Sequence, residues 1–331
     1  MSTVPLQHEP QPPLPPEQAL PEGSARRRAP ERQRNILLRI RDHWADYLYI
    51  APALLVMVVV IGYPLVYTVY LSFFETPPRG GRNFNGIDNY TTILTSERFW
   101  MVTRNTFNWT IFSTLFAFLL GFGAALVIQR EFIGRGIVRG ILLIPWVISL
   151  VAAAYVWRWL YHSDYGLIGG MLQEWGVTQE RFVFLDSTRW VMPSLIVANV
   201  WKEFPFVMIM LLAGLQTVPD QLMRAARVDG ANSWNQFIHV TVPHLKNVIV
   251  ITILLLFVAN LNSFGLIWIM TGGGPAYASQ IWIVEIYTLA FRSLRFGLAS
   301  AFSVILFLFM LSIGYFYVRA MTSGDRERGH A

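Results

Sequence analysis

The sequence predicts an all-α polytopic membrane protein with six transmembrane helices. Hydrophobic residues make up 54% of the 331 residues and charged residues only 14%, whereas a soluble domain has about 25% charged residues. Six separate apolar stretches each approach the ~20 residues that a helix needs to cross the hydrocarbon layer. These stretches are apolar on all sides, unlike helices around a soluble core, which keep a charged face.

The six stretches define the domain organisation. They comprise residues 48–74, 106–128, 137–160, 190–215, 247–270 and 298–319. Because lipid offers the backbone no hydrogen-bond partners, each stretch is expected to be a helix. The transmembrane domain is therefore predicted at residues 46–320, between an N-terminal tail at 1–45 and a C-terminal tail at 321–331. The first 35 residues or so are rich in Pro, Glu, Gln and Arg, a composition that predicts disorder.

One further apolar run is too short to span a membrane. It reads IWIVEIYTLAF, at residues 281–291 in the third outer loop. A run of this length is expected either to lie along the outer interface or to pack as a re-entrant segment.

The distribution of lysine and arginine predicts the orientation, because cytoplasmic segments carry the excess. The N-terminal tail, the second loop, the fourth loop and the C-terminal tail hold seven, three, three and three of these residues, and the remaining loops hold four, two and two. Both termini are therefore expected in the cytoplasm. The fourth loop, residues 217–245, is expected on the same side.

Residue types exclude several chemistries. The chain has no cysteine, and its six histidines offer no H-E-x-x-H spacing, so disulfides, thiolate sites and that zinc motif are excluded. An intramembrane enzyme would need a catalytic pair at membrane depth, and Glu203 has no second carboxylate within its turn. No G-x-x-x-x-G-K-[ST] motif occurs. Any ATP that drives this protein must therefore be hydrolysed by another chain.

The fourth loop is polar and has helix-forming residues on both sides of a glycine. Thr217 as N-cap and Pro219 in the first turn predict the start of a short helix, and Gly230 predicts its end. Ser233 and Gln236 form a Ser-x-x-Gln capping box for a second short helix. Alanines in the first helix favour docking into a protein groove. The alternative is an amphipathic helix on the lipid surface.

This loop resembles the signature of binding-protein-dependent ABC importer permeases, which is Glu-Ala-Ala, three residues, Gly, nine residues and Ile-x-Leu-Pro. The spacing matches at every step, and Pro243 is also predicted to end the second helix. The matching residues are Arg224, Ala225, Ala226, Asp229, Gly230 and Pro243. In that family the loop is the coupling helix, which sits in a groove of the ATPase subunit. Arg224 stands where the family has glutamate, which suggests an acidic residue on the partner.

Three more motifs resemble the carbohydrate branch of the family, such as the maltose and glycerol-phosphate permeases. They are FNGIDNY at residues 84–90, NVWKEFPF at 199–206 and MTGGGP at 270–275. The resemblance covers about residues 45–320 and implies the type I ABC importer permease fold. It also implies a sugar or sugar derivative as solute and a bacterial cytoplasmic (inner) membrane as location.

The resemblance implies a set of partners. They are a second permease that completes a heterodimer, two ATPase subunits that bind ATP and Mg, and an extracytoplasmic solute-binding protein. This chain is then non-catalytic and carries no cofactor or metal. Its net charge of +6 is assigned to cytoplasmic loops rather than to nucleic-acid binding.

Polar side chains inside the predicted spans are the candidate solute contacts, because polar groups in lipid are costly. The candidates are Asn199, Lys202, Glu203 and Phe206 by helical spacing in the fourth span, and Asn260 and Ser263 on one face of the fifth. The resemblance places these stretches at the sugar-binding level of maltose-type permeases, and it adds Trp146, where that family has tyrosine. A Lys202–Glu203 ion pair and interhelical hydrogen bonds are the structural alternatives.

A different transport mechanism is the main rival. An ion-coupled secondary sugar transporter would use Lys202 and Glu203 as coupling groups and would work without partner chains. The importer requires them.

Overall fold

The computed structural model describes residues 44–78 and 80–328. The predicted disorder of the first 35 residues and nearly all of the predicted N-terminal tail lie outside the described residues. Five helices are long and apolar enough to cross a membrane, and one bent helix pair makes a sixth if it is counted as a single span. The prediction of an all-α polytopic membrane protein is confirmed. The strands found in the described ranges are one short antiparallel pair, β1 (Phe74–Glu75) and β2 (Asn83–Phe84).

The described chain falls into two units. The first, ending at Gly62, contains α1 (Trp44–Met57) and a π-helical turn (Val58–Gly62), whose side chains from residue 48 to 61 are exposed. The second contains α2 (Tyr63–Leu71), α3 (Asp88–Thr95), α4 (Glu97–Gln129), α5 (Arg135–Val147), α6 (Leu150–Leu160), α7 (Leu167–Glu174), α8 (Val191–Leu215), α9 (Asp220–Val228), α10 (Ser233–Gln236), α11 (Val242–Leu261), α12 (Gly265–Thr271), α13 (Trp282–Tyr287) and α14 (Phe296–Arg328).

Helices α4 and α8 form the centre of the second unit. They make the most extensive helix contact of the described chain, and α11 packs against both. The buried side chains of α4 recur every three or four residues, including Val102, Trp109, Ala117 and Ala125, which is the spacing of one helix face. Small residues on this face let the two helices approach closely.

Gly121 marks the closest approach of α4 to α8. A Cβ atom at this position would lie 2.5 Å from Val207 Cβ and 2.6 Å from the Phe204 carbonyl oxygen. We therefore expect Gly121→Ala to push the helices apart and to cost about 1–3 kcal/mol of stability. Gly123→Ala is the matched control, because a Cβ there meets nothing within 4 Å. Thermal unfolding in detergent compares them, and equal melting temperatures for the two variants would contradict this packing.

The predicted third span is broken. Residues 135–160 form two helices, α5 and α6, which meet at an angle of 93°. The break lies at Ile148 and Ser149, both of which have extended backbone with ψ near 138° and 137°. The expected helix over 137–160 is therefore interrupted, and the two parts make one span only if the bent pair is counted together.

The predicted fifth span is also displaced. The helical segment runs from Ser233 to Leu261, and the chain then breaks before α12. Residues 262–270 therefore do not continue the span. Asn260 belongs to the last turn of α11 and Ser263 lies beyond the helix end, so the expectation that they share one helix face was wrong.

The short apolar run at residues 281–291 packs inside the protein. Its first half forms α13, in which Trp282 and Glu285 are buried. The Trp282 backbone N–H donates to Thr106 Oγ1 at 2.9 Å, and its indole N–H donates to Thr103 Oγ1 at 2.9 Å. Arg98 pairs with Glu285 at 2.8 Å. The run therefore packs against the N-terminal part of α4 instead of facing lipid along its whole length.

Candidate functional site

A network of polar side chains lies between the central helices at membrane depth. Asn260 of α11 is fully buried, and its side-chain oxygen accepts a hydrogen bond from Asn199 Nδ2 at 2.7 Å. Its amide nitrogen donates to Glu203 Oε2 at 3.0 Å and to Thr114 Oγ1 at 3.3 Å. Three of the helices, α4, α8 and α11, thus meet at one amide. We call these four residues the polar network.

The network continues along α4. The Trp109 indole donates to the Asn260 carbonyl oxygen at 3.0 Å, so one carbonyl of the last turn of α11 gains an external donor. Thr110 and Ser113, one turn away, have buried hydroxyl oxygens without a hydrogen-bond partner. Such groups are costly inside a protein.

Lys202 and Glu203 point in different directions, since consecutive helix residues do not face each other. The Lys202 ammonium donates to the carbonyl oxygens of Pro145 at 3.1 Å, Trp146 at 3.1 Å and Ile148 at 2.7 Å. All three of its donors are thereby engaged. The ion pairs found among the described residues do not include Lys202 with Glu203, so each of these two groups bonds to a different partner.

Lys202 stabilises the break between α5 and α6. The carbonyls at a helix C-terminus lack intrahelical donors and carry partial negative charge, and Lys202 supplies both a donor and a positive charge there. The ammonium therefore fixes the position of Trp146, whose own carbonyl it binds.

We expect Lys202→Met to loosen this bend. The substitution leaves three carbonyls without their donor, at a cost of about 1–3 kcal/mol for each one that stays dry. Because the chain has no cysteine, the variants Ile137→Cys and Val156→Cys place one spin label on each arm. Pulsed electron paramagnetic resonance should show one narrow distance in the parent, a broader distribution with Lys202→Met and a near-parent distribution with Lys202→Arg. An unchanged distance distribution in Lys202→Met would argue against a role of Lys202 in stabilising the bend.

Trp146 and Phe206 form an aromatic pair beside Lys202. Their ring centroids lie 6.2 Å apart with an interplanar angle of 29°, and Trp146 remains 48% exposed. The structure thus brings six of the predicted site residues into two adjoining groups, the polar network and this pair with Lys202. Ser263 is half-buried and lies beyond the end of α11, where its backbone N–H donates to the Asn260 carbonyl oxygen at 3.1 Å.

Two contributors were missed by the sequence analysis. Trp109 and Thr114 lie in the predicted second span and were not considered as site residues. A signal was present, because Thr106, Thr110, Ser113 and Thr114 are polar residues at helical spacing within an apolar span. Polar side chains inside a span indicate an interior face.

The fourth loop forms two short helices separated at Gly230, as predicted. Gly230 has a φ of +79°, which favours glycine. The predicted starts were wrong by a few residues. The first helix begins at Asp220 with Pro219 as N-cap, and the second is capped by Asn232, whose Oδ1 accepts from the Asn235 backbone N–H at 2.8 Å.

Pro243 does not end the second helix. A π-helical turn at Phe237–Thr241 joins α10 to α11, and the Val242 N–H bonds to the Phe237 carbonyl, five residues back. Such a turn shifts the hydrogen-bond ladder by one residue. Proline also fits the first turn of a helix, where its missing N–H is not needed. The loop is therefore continuous with the span that follows it.

The surface of this loop carries exposed apolar side chains. No residue of α9 is buried, and Leu222 is 48%, Val228 88% and Trp234 66% exposed. Arg224 and Ala225 are exposed as well. Next to α9 lies a groove of 680 Å³, whose lining includes Arg130, Met223, Arg227, Trp234 and Phe237. Exposed apolar groups beside a groove are typical of a protein interaction site.

Within residues 44–78 and 80–328, no group of three or more His, Asp or Glu side chains could hold a metal ion.

Comparison with known proteins identifies relatives over most of the chain. Residues 113–322 match the family described as binding-protein-dependent transport system inner membrane component. The trehalose/maltose transport system permease protein of Thermococcus litoralis is 32% identical over 291 residues, covering 85% of this chain and 95% of the relative. The trehalose transport system permease protein of Mycobacterium tuberculosis is 34% identical over 292 residues, covering 85% and 90%.

A third relative is named for another sugar. The sulfoquinovosyl glycerol transport system permease protein of Agrobacterium fabrum is 32% identical over 290 residues, covering 87% of this chain and 94% of the relative. Among solved structures, a chain of a bacterial ABC transporter that imports the acidic polysaccharide alginate superimposes with a TM-score of 0.72. It is 24% identical and covers 86% of this chain and 98% of its own, a similarity that concerns the fold.

Proposed function

Because this chain belongs to the family of binding-protein-dependent transport system inner membrane components, we propose that it pairs with a second permease to form the solute pathway of an ABC importer. The chain is a multi-pass membrane permease of the type I ABC importer fold. It is not the ATPase, which in such transporters is a separate subunit. The finer assignments below are the proposal.

The solute is a sugar or sugar derivative. Support comes from the relatives named for trehalose, maltose and sulfoquinovosyl glycerol, and from the groups present at the polar network. Amides and a carboxylate suit hydroxyl groups, and an exposed aromatic pair can cover a sugar face. Asn199, Glu203 and Phe206 of α8, together with Trp146, Asn260 and Ser263, form the proposed solute region.

The exposure of each side chain indicates whether it contacts the solute directly or supports a residue that does. Glu203 and Phe206 are half-buried and Trp146 is exposed, so these side chains are proposed to contact solute directly. Asn199 and Asn260 are buried and bonded to each other, so they hold Glu203 in place in this conformation. Lys202 acts through the α5 carbonyls that it binds.

The fourth loop is proposed to dock on an ATPase subunit. Its exposed Leu222, Val228 and Trp234 offer apolar contact, and exposed Arg224 offers a charge for an acidic residue of the partner. The π-helical continuity between this loop and α11 supports mechanical coupling, because movement of α10 moves a span that carries Asn260. The excess of Lys and Arg supports a cytoplasmic location for this loop and for both termini.

Transport would follow alternating access. Closure of two ATP-bound ATPase subunits moves the loop and rocks the spans, which opens the pathway outward to a docked solute-binding protein. Hydrolysis of ATP, which requires Mg on the ATPase subunits, reverses the movement. The solved alginate importer in complex with a periplasmic protein that carries an alginate pentasaccharide is a complex of this general kind.

Reconstitution tests the proposal. Proteoliposomes that contain this chain with its co-expressed second permease and ATPase are loaded with ATP and given the binding protein and its sugar outside. Uptake should require ATP and Mg and should survive the collapse of ion gradients by ionophores. Uptake by this chain alone that ionophores abolish would instead establish the ion-coupled secondary transporter.

A further inference from the structure

The charges at the depth of the polar network are few. Residues 105–129 of α4, all of α8 and residues 247–261 of α11 contain two charged side chains, Lys202 and Glu203. They are adjacent in sequence and opposite in sign, so the sequence presents them as a neutral pair. The structure separates them.

The positive charge faces away from the network. Lys202 donates to three carbonyl oxygens of the α5–α6 break, and an ammonium group has three donors. A solute anion would have to displace a carbonyl, and the α5 helix terminus already provides the partial negative charge that Lys202 neutralises.

The negative charge faces the network. Glu203 Oε2 accepts from Asn260 Nδ2 at 3.0 Å, and Asn260 is held by Asn199 and Thr114. The Glu203 side chain is therefore oriented by three helices and stays half-buried. A carboxylate offers acceptors but repels another anion, and this repulsion strengthens where water is partly excluded.

We propose that Glu203 makes this pathway select uncharged or positively charged sugars and reject anionic ones. This inference rests on the proposed solute region and names the charge class of the solute. Relatives named for different sugars leave that class open. The different partners of Lys202 and Glu203 support the uncharged or positive class, because only the carboxylate is bonded to the buried amides.

Three monosaccharides of matched ring size test the charge class directly. Glucose, protonated glucosamine and glucuronate carry charges of zero, plus one and minus one. They are used as probes on the importer complex, purified through a tag on this chain and placed in nanodiscs. Saturation-transfer difference NMR measures their weak binding. We expect glucose and glucosamine to bind, and glucuronate to bind about tenfold more weakly or worse, as expected for repulsion of roughly one unit charge.

Two matched substitutions test whether Glu203 causes the weaker binding of glucuronate. Glu203→Gln keeps an oxygen that can accept from Asn260 and should raise glucuronate binding to the level of glucose. Lys202→Met removes the adjacent opposite charge and should weaken all three sugars alike, with the discrimination against glucuronate retained. Size-exclusion profiles and melting curves of the same samples identify any variant that has lost its fold.

The possible results distinguish a failure of charge selection by Glu203 from a failure of the proposed sugar-importer function. Equal binding of glucuronate and glucose by the parent, or a specific loss of glucuronate binding in Lys202→Met, would overturn the charge selection and leave a sugar importer. Absence of binding for all three sugars by a complex that shows no sugar-stimulated ATP hydrolysis would overturn both.

Discussion

Replacement of Asn260 by leucine should abolish most transport. Leucine has a similar size but removes both hydrogen-bonding groups, so Asn199 Nδ2 loses its acceptor and Glu203 Oε2 loses its donor. Each buried group left unsatisfied costs about 1–3 kcal/mol, and more when it is charged. Since 1.4 kcal/mol corresponds to about a tenfold change in a rate constant, ATP-driven uptake in the reconstituted importer should fall at least about tenfold.

Asn262→Leu is the matched control for this prediction. Asn262 lies two residues further on, is exposed, and donates to the Val258 carbonyl at 2.9 Å. We expect its substitution to leave uptake within about twofold of the parent, as for most surface changes. Similar losses in the two variants would show that uptake depends on this helix end in general and not on the polar network.

Replacement of Gly230 by aspartate should uncouple the permease from its ATPase while leaving it in the membrane. Gly230 adopts a φ of +79°, where a side chain costs roughly 1–2 kcal/mol. The carboxylate also adds a charge to the proposed docking surface. We expect uptake to fall at least about tenfold, with normal amounts of chain in membranes by immunoblot and less ATPase recovered with the tagged chain.

Gly230→Asn distinguishes the effect of backbone strain from the effect of the added charge. Asparagine has the shape of aspartate without its charge and tolerates positive φ better than most residues. It should therefore retain more uptake than Gly230→Asp. Normal uptake by Gly230→Asp would count heavily against docking at this loop.

Periodicity and composition were sufficient for the fold class, because six apolar stretches of spanning length leave few alternatives in lipid. The ends of the helices were harder to predict from the sequence. The carbonyls at the break within residues 135–160 bond to Lys202, which lies on another helix more than 50 residues away in sequence, and the local sequence pattern does not reveal such a contact. The end of the fifth span at Leu261 was missed for a related reason, since residues 264–270 are mostly apolar although they do not extend α11.

The site was predictable as a set of residues but not as an arrangement. Helical spacing placed Asn199 and Glu203 on one side of α8, and both contribute to the polar network. The sequence could not predict that Asn260 is buried and bonded to Asn199 and Glu203, because this arrangement depends on how α8 and α11 pack against each other. Lys202 illustrates the limit most clearly. A Lys–Glu neighbour pair suggested mutual neutralisation, yet the helical twist sends the two side chains to different partners.

For the loop at residues 217–245, in contrast, the arrangement was largely predictable from the sequence. Its helix–glycine–helix form follows from local chemistry, and Gly230 has the left-handed backbone that its position predicted. The cap residues differ, because Pro219 lies two residues after the predicted Thr217 and Asn232 lies one residue before the predicted Ser233. Continuity through Pro243 required the π-helical turn, which no local signal predicts.

Purification of the tagged chain from its native membranes in mild detergent tests the central claim most directly. We expect a second permease and an ATPase to co-purify with it and the eluate to hydrolyse ATP. A chain that elutes alone, shows no ATP hydrolysis and accumulates solute in proteoliposomes on an ion gradient would contradict its role as an importer subunit.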